Sequence, residues 1–252
     1  MNGVGQLAGL FNGEILVVGG GIRALHDLKA LGNRNFTCVL SANAHAYKIP
    51  GLKVDFIVCK DHKHTQTKQE MRRLMAEYPA PVITRNWWGD FRLADWDLQG
   101  NSGLMAIAIA AILGGGPIYP IGFDNFQEGT YWHDPQSKNV SHGLDNNHFR
   151  GKALKIAAQL FGTQVRPVSG PLLEVFKPFD PSAERHPYQK PVILQKYEVL
   201  KGYQVLVKKD FTFPFDTRVV VPKGVELWVS EAEYANFGVQ SSVIRLDTEL
   251  RM

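Results

Sequence analysis

Glu14 to Val18 (EILVV) is a short run, apolar at nearly every position, that ends in Gly19, Gly20 and Gly21 before a helical pattern over 22–31. A run apolar on both faces suits a parallel strand covered by helices on each side. Phe36 to Leu40 (FTCVL) and Val54 to Cys59 (VDFIVC) repeat the pattern and close in Ser41-Ala42-Asn43 and Lys60-Asp61-His62. Three strands thus point their carboxyl ends at polar loops. Thr65 to Tyr78 has helical spacing through Met71, Leu74 and Met75. Pro81 to Thr84 reads as a short strand, and Ser102 to Leu113 (SGLMAIAIAAIL) as a helix apolar nearly all round. Such a helix is buried. Pro117 to Gly122 reads as a further strand, whose internal Pro120 predicts a missing ladder bond or a short strand. A helix over 146–161 and a last strand over 163–168 follow.

Strand and helix signals alternating at this spacing predict βαβ units with right-handed crossovers. The expected fold class is α/β: a Rossmann-like, mostly parallel sheet with helices on both faces over 1–169, followed by a Pro-rich arm over 170–191 and a small β-rich module over 192–252. Pro171, Pro178, Pro181, Pro187 and Pro191 punctuate the arm. In the module YEVLKGYQVLV, RVVVPKGVELWV and SVIRL read as strands, with a helical turn over 230–236. At roughly 60 residues it is too small to be secure alone, and it is expected to pack on the main domain or on a partner.

The 252 residues, 44% hydrophobic and 21% charged, fit one main domain with a small appendage. A net charge of +4 from 28 basic and 24 acidic residues, without a dense Lys/Arg run, argues against a nucleic-acid face. No window approaches the roughly 18 apolar residues of a membrane span, and residues 1–12 lack a secretion-signal pattern, so a cytoplasmic protein is expected. Cys38 and Cys59 sit in apolar runs and read as core residues rather than as a disulfide.

Three glycines between a strand and a helix let the backbone approach a phosphate at a helix N-terminus, with Arg23 beside them to neutralise charge. A tight turn without ligand is the alternative. The dinucleotide fingerprint is incomplete: the third spaced glycine is absent, and Asn43 stands where an acidic residue would close the second strand. The densest polar stretch runs from Gly122 to His148 and contains Asp124, Tyr131, His133, Asp134, His142, Asp145 and His148. A loop of that length is functional or mobile, and one histidine in it suits general acid or base work. The spacings match no compact zinc pattern, and no metal is assigned.

The GGG turn, Asn43 after the second strand, Asn101-Ser102-Gly103-Leu104 opening an apolar helix, IYPIGFDNFQEGTYWHD and the later ALKIAAQLFG together resemble the bacterial sialyltransferases of lipooligosaccharide synthesis. Motility accessory factor glycosyltransferases and archaeal hydroxymethylpterin pyrophosphokinases share the pattern. The resemblance spans roughly residues 14 to 168, and its most specific piece is NSGLMAIAIA with IYPIGFD. It departs at the first turn, which reads Gly-Asn-Gly-Pro-Ser in the sialyltransferases. Here Gly20 replaces the asparagine and Ile22-Arg23 the Pro-Ser pair.

The resemblance implies a nucleotide or nucleotide-sugar pocket in which Gly19, Gly20, Gly21, Arg23, Asn43, Ser102, Gly103 and Asp124 hold the nucleotide. Tyr131 would approach the phosphate, and His142 or His148 would be the general base toward an acceptor hydroxyl. The carboxy-terminal module, KYEVLKGYQVLV with VVVPKGVELWVSEAEYANFG, resembles small β modules of bacteriophage structural proteins. The expectation is therefore a glycosyltransferase-like protein with a nucleotide-sugar donor and no certain cofactor, in the cytoplasm of its own or a host cell. Two alternatives stand beside it: a virion or assembly subunit, homo-oligomeric, that keeps the fold without the chemistry, and a magnesium-dependent pyrophosphokinase or hydrolase using Asp61, Asp124 and Asp134.

Overall fold

The computed structural model describes residues 2–60, 80–93, 102–114, 116–123, 132, 164–182, 201–213 and 216–246. Seven strands form one sheet: β1 (Asn2–Gly3), β2 (Ile15–Val18), β3 (Cys38–Ala42), β4 (Phe56–Cys59), β5 (Val82–Thr84), β6 (Phe91–Arg92) and β7 (Ile118–Ile121). Every pairing is parallel, in the order β1-β6-β5-β4-β3-β2-β7. From β2 the chain builds outward through β3, β4 and β5 to β6, then returns to β7 on the other side of β2. The strand order therefore reverses between β2 and β7, and open α/β sheets hold ligands at such a reversal.

The continuous apolar runs are explained by helices on both faces. In β2, Ile15 and Val17 join the core built on helix α2 (Ser102–Leu113), while Leu16 and Val18 join the opposite core with Leu31 of helix α1 (Ala24–Leu31). This is the α/β architecture expected from the sequence. Helix α2 is apolar all round because it is covered on its far side too. Val4 and Leu7 of an amino-terminal 3-10 turn, and Leu172 and Phe176 of the arm, are buried in the same core. The described part of the arm, 170–182, is thus packed chain: it runs through a 3-10 turn (Pro171–Glu174) and sets Phe179 edge-on against Tyr119 at 5.7 Å.

Several boundaries differ from expectation for local reasons. β3 extends to Ala42, beyond the run ending at Leu40, because Ser41 is buried at no polar cost: its hydroxyl accepts from the Ala46 N–H at 2.9 Å. Among the described residues the strand expected over 163–168 shrinks to one bridge, Val165 with Ile118, since Pro120 has no N–H to give the Arg166 carbonyl as the next rung of the ladder. The Ile118 N–H donates to the Gln164 carbonyl on the outer side, so by alternation the donor that Pro120 lacks falls on that side as well. Pairing with β2 is untouched. The helices expected over 65–78 and 146–161 lie outside the described residues.

Cys38 and Cys59 are both buried thiols outside any disulfide. Burial, and then the Asp55 carboxylate, push the Cys38 thiol far above its ordinary range. It therefore stays protonated at neutral pH. In the folded protein neither cysteine should react with a disulfide reagent, and both should react on denaturation; labelling of Cys38 before unfolding would contradict its placement.

The carboxy-terminal module has strands β8 (Gly202–Val207), β9 (Phe211–Phe213), β10 (Asp216–Val221), β11 (Glu226–Ser230) and β12 (Val243–Arg245), with short helices α3 (Glu231–Tyr234) and α4 (Phe237–Gln240). β11-β8-β12 form an antiparallel sheet and β9 pairs antiparallel with β10. The module sits against the β1–β6 edge of the parallel sheet. At Gly3 an added Cβ would lie 2.6 Å from the Trp228 indole, so glycine admits the ring, and the Gln204 amide donates to Asn2 Oδ1 at 3.3 Å.

Between the two bodies lies Arg92 of β6, fully buried. Its Nη1 and Nη2 donate to Glu233 Oε2 and Oε1, both at 2.6 Å, its Nη1 also to the Trp228 carbonyl at 2.9 Å, and its guanidinium lies 4.2 Å from the Phe213 ring centroid. Glu233 is doubly used, because it closes a capping box with Ser230 at the start of α3.

Candidate functional site

The glycine turn stands where expected, between β2 and α1 at the strand-order reversal, but its donors are occupied. The Gly19 N–H donates to the Ile121 carbonyl and the Gly21 N–H to the Gly122 carbonyl, both at 2.8 Å, while the Gly20 carbonyl accepts from the Trp132 N–H at 3.0 Å. All three glycines are buried. The close backbone approach that glycine permits is made by the chain leaving β7. A Cβ on Gly19 would lie 2.6 Å from the Gly122 carbonyl oxygen.

Gly122 itself has φ +67°, and a Cβ there would lie 2.8 Å from that of Ala24. Its N–H donates at 3.1 Å to Oδ2 of Asp27, a carboxylate buried in the first turn of α1. The Gly19 and Gly21 donors thus zip the turn after β2 to β7 and the chain leaving it. Only the Gly20 N–H carries no hydrogen bond among the described residues. Gly19→Ala should lower stability by about 1–3 kcal/mol through overpacking against backbone. An unchanged denaturant midpoint would contradict this packing.

The polar groups farther along the sheet converge more closely. Asn43 follows β3 in the left-handed region at φ +54°, its N–H donating to the Val58 carbonyl at 2.8 Å and its buried Oδ1 without a hydrogen bond among the described residues. An asparagine tolerates that conformation better than most residues. Lys60 follows β4, and its N–H donates to the Ser102 hydroxyl at 3.0 Å. The Lys60 carbonyl accepts from the Asn86 carboxamide at 3.3 Å, and that carboxamide also lies 3.4 Å from Thr84 Oγ1. Ser102 is the first residue of α2 and Gly103 the second, so the amino-terminal, positive dipole end of α2 meets the ends of β4 and β5. Two strand spacings, about 10 Å, separate β4 from β2. Ser102 and the Gly20 turn thus share one end of the sheet.

Among the described residues, cationic groups at this end include Arg23 past the glycine turn, Lys60 after β4 and Arg85 after β5. Arg23 and His26 are exposed, and Asp27, the carboxylate nearby, is buried and committed to Gly122. His45, in a 3-10 turn (His45–Lys48) just beyond Asn43, is half-buried at the same end. Asp124, Tyr131, His142 and His148, the remaining candidates, lie outside the described residues, as do Asp61, His133, Asp134 and Asp145.

Asn86, Lys60 and His45 belong to the candidate site although no motif marks them. Lys60 carried a readable signal, a polar residue directly following an apolar run. Asn86 carried none, because its place depends on β5 pairing beside β4. Among the described residues no group of three or more His, Cys, Asp or Glu side chains is arranged to hold a metal, and no helix is long and apolar enough to cross a membrane.

No family model and no curated protein matches the chain. The chain is similar to solved structures of a bacterial sialyltransferase. With the sialyltransferase CST-II in complex with trisaccharide acceptor and CMP it shares 15% identity over 70% of this chain and 93% of that one, at a TM-score of 0.48. With CstII from Campylobacter jejuni in complex with the substrate analogue CMP-3FNeuAc it shares 16% identity over the same fractions, again at a TM-score of 0.48.

Proposed function

We propose that the protein binds a nucleotide or nucleotide-sugar at the carboxyl ends of β2 to β5 and acts as a glycosyltransferase. One observation carries the reading: Asn43, Lys60, Asn86, Ser102 and the amino terminus of α2 come together at that end of a parallel sheet, where Arg23 and Arg85 also follow β2 and β5. Amide groups suit the edges of a base and the hydroxyls of a ribose, while cations and helix donors suit phosphate. The phosphate lies at α2, with Gly103 and the neighbouring amides as donors, and Gly20 rather than Gly19 or Gly21 contributes from the β2 turn.

The resemblance of residues 14 to 168 to the sialyltransferases turns a nucleotide reading into a nucleotide-sugar one. In that scheme the chain binds the donor sugar nucleotide, and His142 or His148 removes the proton from an acceptor hydroxyl as the sugar leaves the nucleotide phosphate. Tyr131 and Asp124 act at the donor. Calorimetric titration with cytidine, uridine and guanosine mono- and diphosphates tests the reading. Saturable binding of one base in preference to the others supports it; no binding at millimolar concentration, a free energy of about 4 kcal/mol, overturns it.

A further inference from the structure

The turn between β5 and β6 joins the candidate site to the carboxy-terminal module. Arg92 Nε donates to the Arg85 carbonyl at 2.9 Å, on the far side of the guanidinium fork that grips Glu233. The Arg85 carbonyl and the Asn86 N–H belong to one peptide plane, and that N–H donates to Thr84 Oγ1 at 3.1 Å. Both polar groups of the plane are therefore held, which fixes the direction in which the Asn86 side chain leaves the backbone. One residue on, Trp87 packs against the core of the carboxy-terminal module.

We infer that Arg92 and Glu233 are positioning residues, through which the carboxy-terminal module holds the Asn86 carboxamide at the Lys60–Ser102 corner. The module thereby works on the site from outside it, without touching the ligand. For its effect on binding the inference rests on the nucleotide reading; for its effect on Asn86 it does not.

Arg92→Lys keeps a positive charge opposite Glu233 and removes the Nε donor to the Arg85 carbonyl. In the full chain the Asn86 side-chain amide signals, followed by nuclear magnetic resonance without ligand, should move toward solvent-exposed positions and exchange about tenfold faster. Affinity for the nucleotide bound by the wild-type protein should fall about tenfold, the effect of one well-placed hydrogen bond. In an Asn86→Ala background Arg92→Lys should lower affinity no further, whereas any loss of thermal stability should persist. A purely structural role would lower affinity equally in both backgrounds.

If Arg92→Lys does not fold, Glu233→Gln, which retains the capping box, takes the same readouts. Unchanged Asn86 signals in a folded variant, or an undiminished affinity loss in the Asn86→Ala background, overturn the inference. A wild-type protein that binds none of these nucleotides overturns the functional reading instead, and the Asn86 signals still decide whether the module positions this residue.

Discussion

Arg92→Met is expected to lower the stability of the whole chain by about 3–5 kcal/mol, the usual cost of leaving one member of a buried ion pair without its partner. The pair is buried on both sides, with side-chain exposures of 0% and 2%, so water cannot take over the lost contacts. Three acceptors lose their donor together: the Glu233 carboxylate, the Trp228 carbonyl and the Arg85 carbonyl. Replacing Arg92 and Glu233 together by methionine should recover part of the loss, because no isolated charge then remains buried. The recovery stays incomplete, since the double variant also lacks the Ser230–Glu233 capping box. Chemical denaturation of the four proteins measures the cycle. A single variant within about 1 kcal/mol of wild type, the scale of an exposed pair, would show that the two bodies do not meet through this bridge.

The second large effect concerns the chemistry. If the protein transfers a sugar, changing whichever of His142 and His148 is the general base to alanine should lower turnover about a hundredfold or more, with nucleotide affinity largely kept. The other histidine should tolerate the change. Single-turnover assays on both variants separate the roles, and equal, small losses at both positions would remove histidine from the base assignment.

The central sheet was legible in the sequence wherever a strand is buried on both faces, because that leaves no polar position to break the run. Ile15–Val18 and Phe56–Cys59 are of this kind, and the all-apolar pattern of Ser102–Leu113 likewise marked a helix covered on every side. The two-residue strands Asn2–Gly3 and Phe91–Arg92 are too short for any periodicity. They pair with each other and with Val82–Thr84, and the carboxy-terminal module packs on them through Arg92, whose partner lies 141 residues further along the chain.

The glycine turn shows a different limit. Three glycines mark a close backbone approach at that point, yet the approaching group is set by pairing with a strand about 100 residues away, here Ile118–Ile121. Local pattern located the turn and left open whether a phosphate or the protein's own carbonyls would meet it. Asn86 was hidden in the same way, since its neighbours Lys60 and Ser102 come from other parts of the chain.

Where a nucleotide lands on the sheet is the most direct test of the account. Titrating the isotope-labelled protein with the preferred nucleotide should shift the backbone signals of Gly20, Asn43, Lys60, Asn86 and Gly103 together along one saturation curve, with Gly19 and Gly21 keeping the protection of their hydrogen bonds to Ile121 and Gly122. Saturating shifts confined to the carboxy-terminal module or to the amino ends of the strands, or no saturating shift at millimolar nucleotide, would contradict a binding site at the carboxyl ends of β2 to β5.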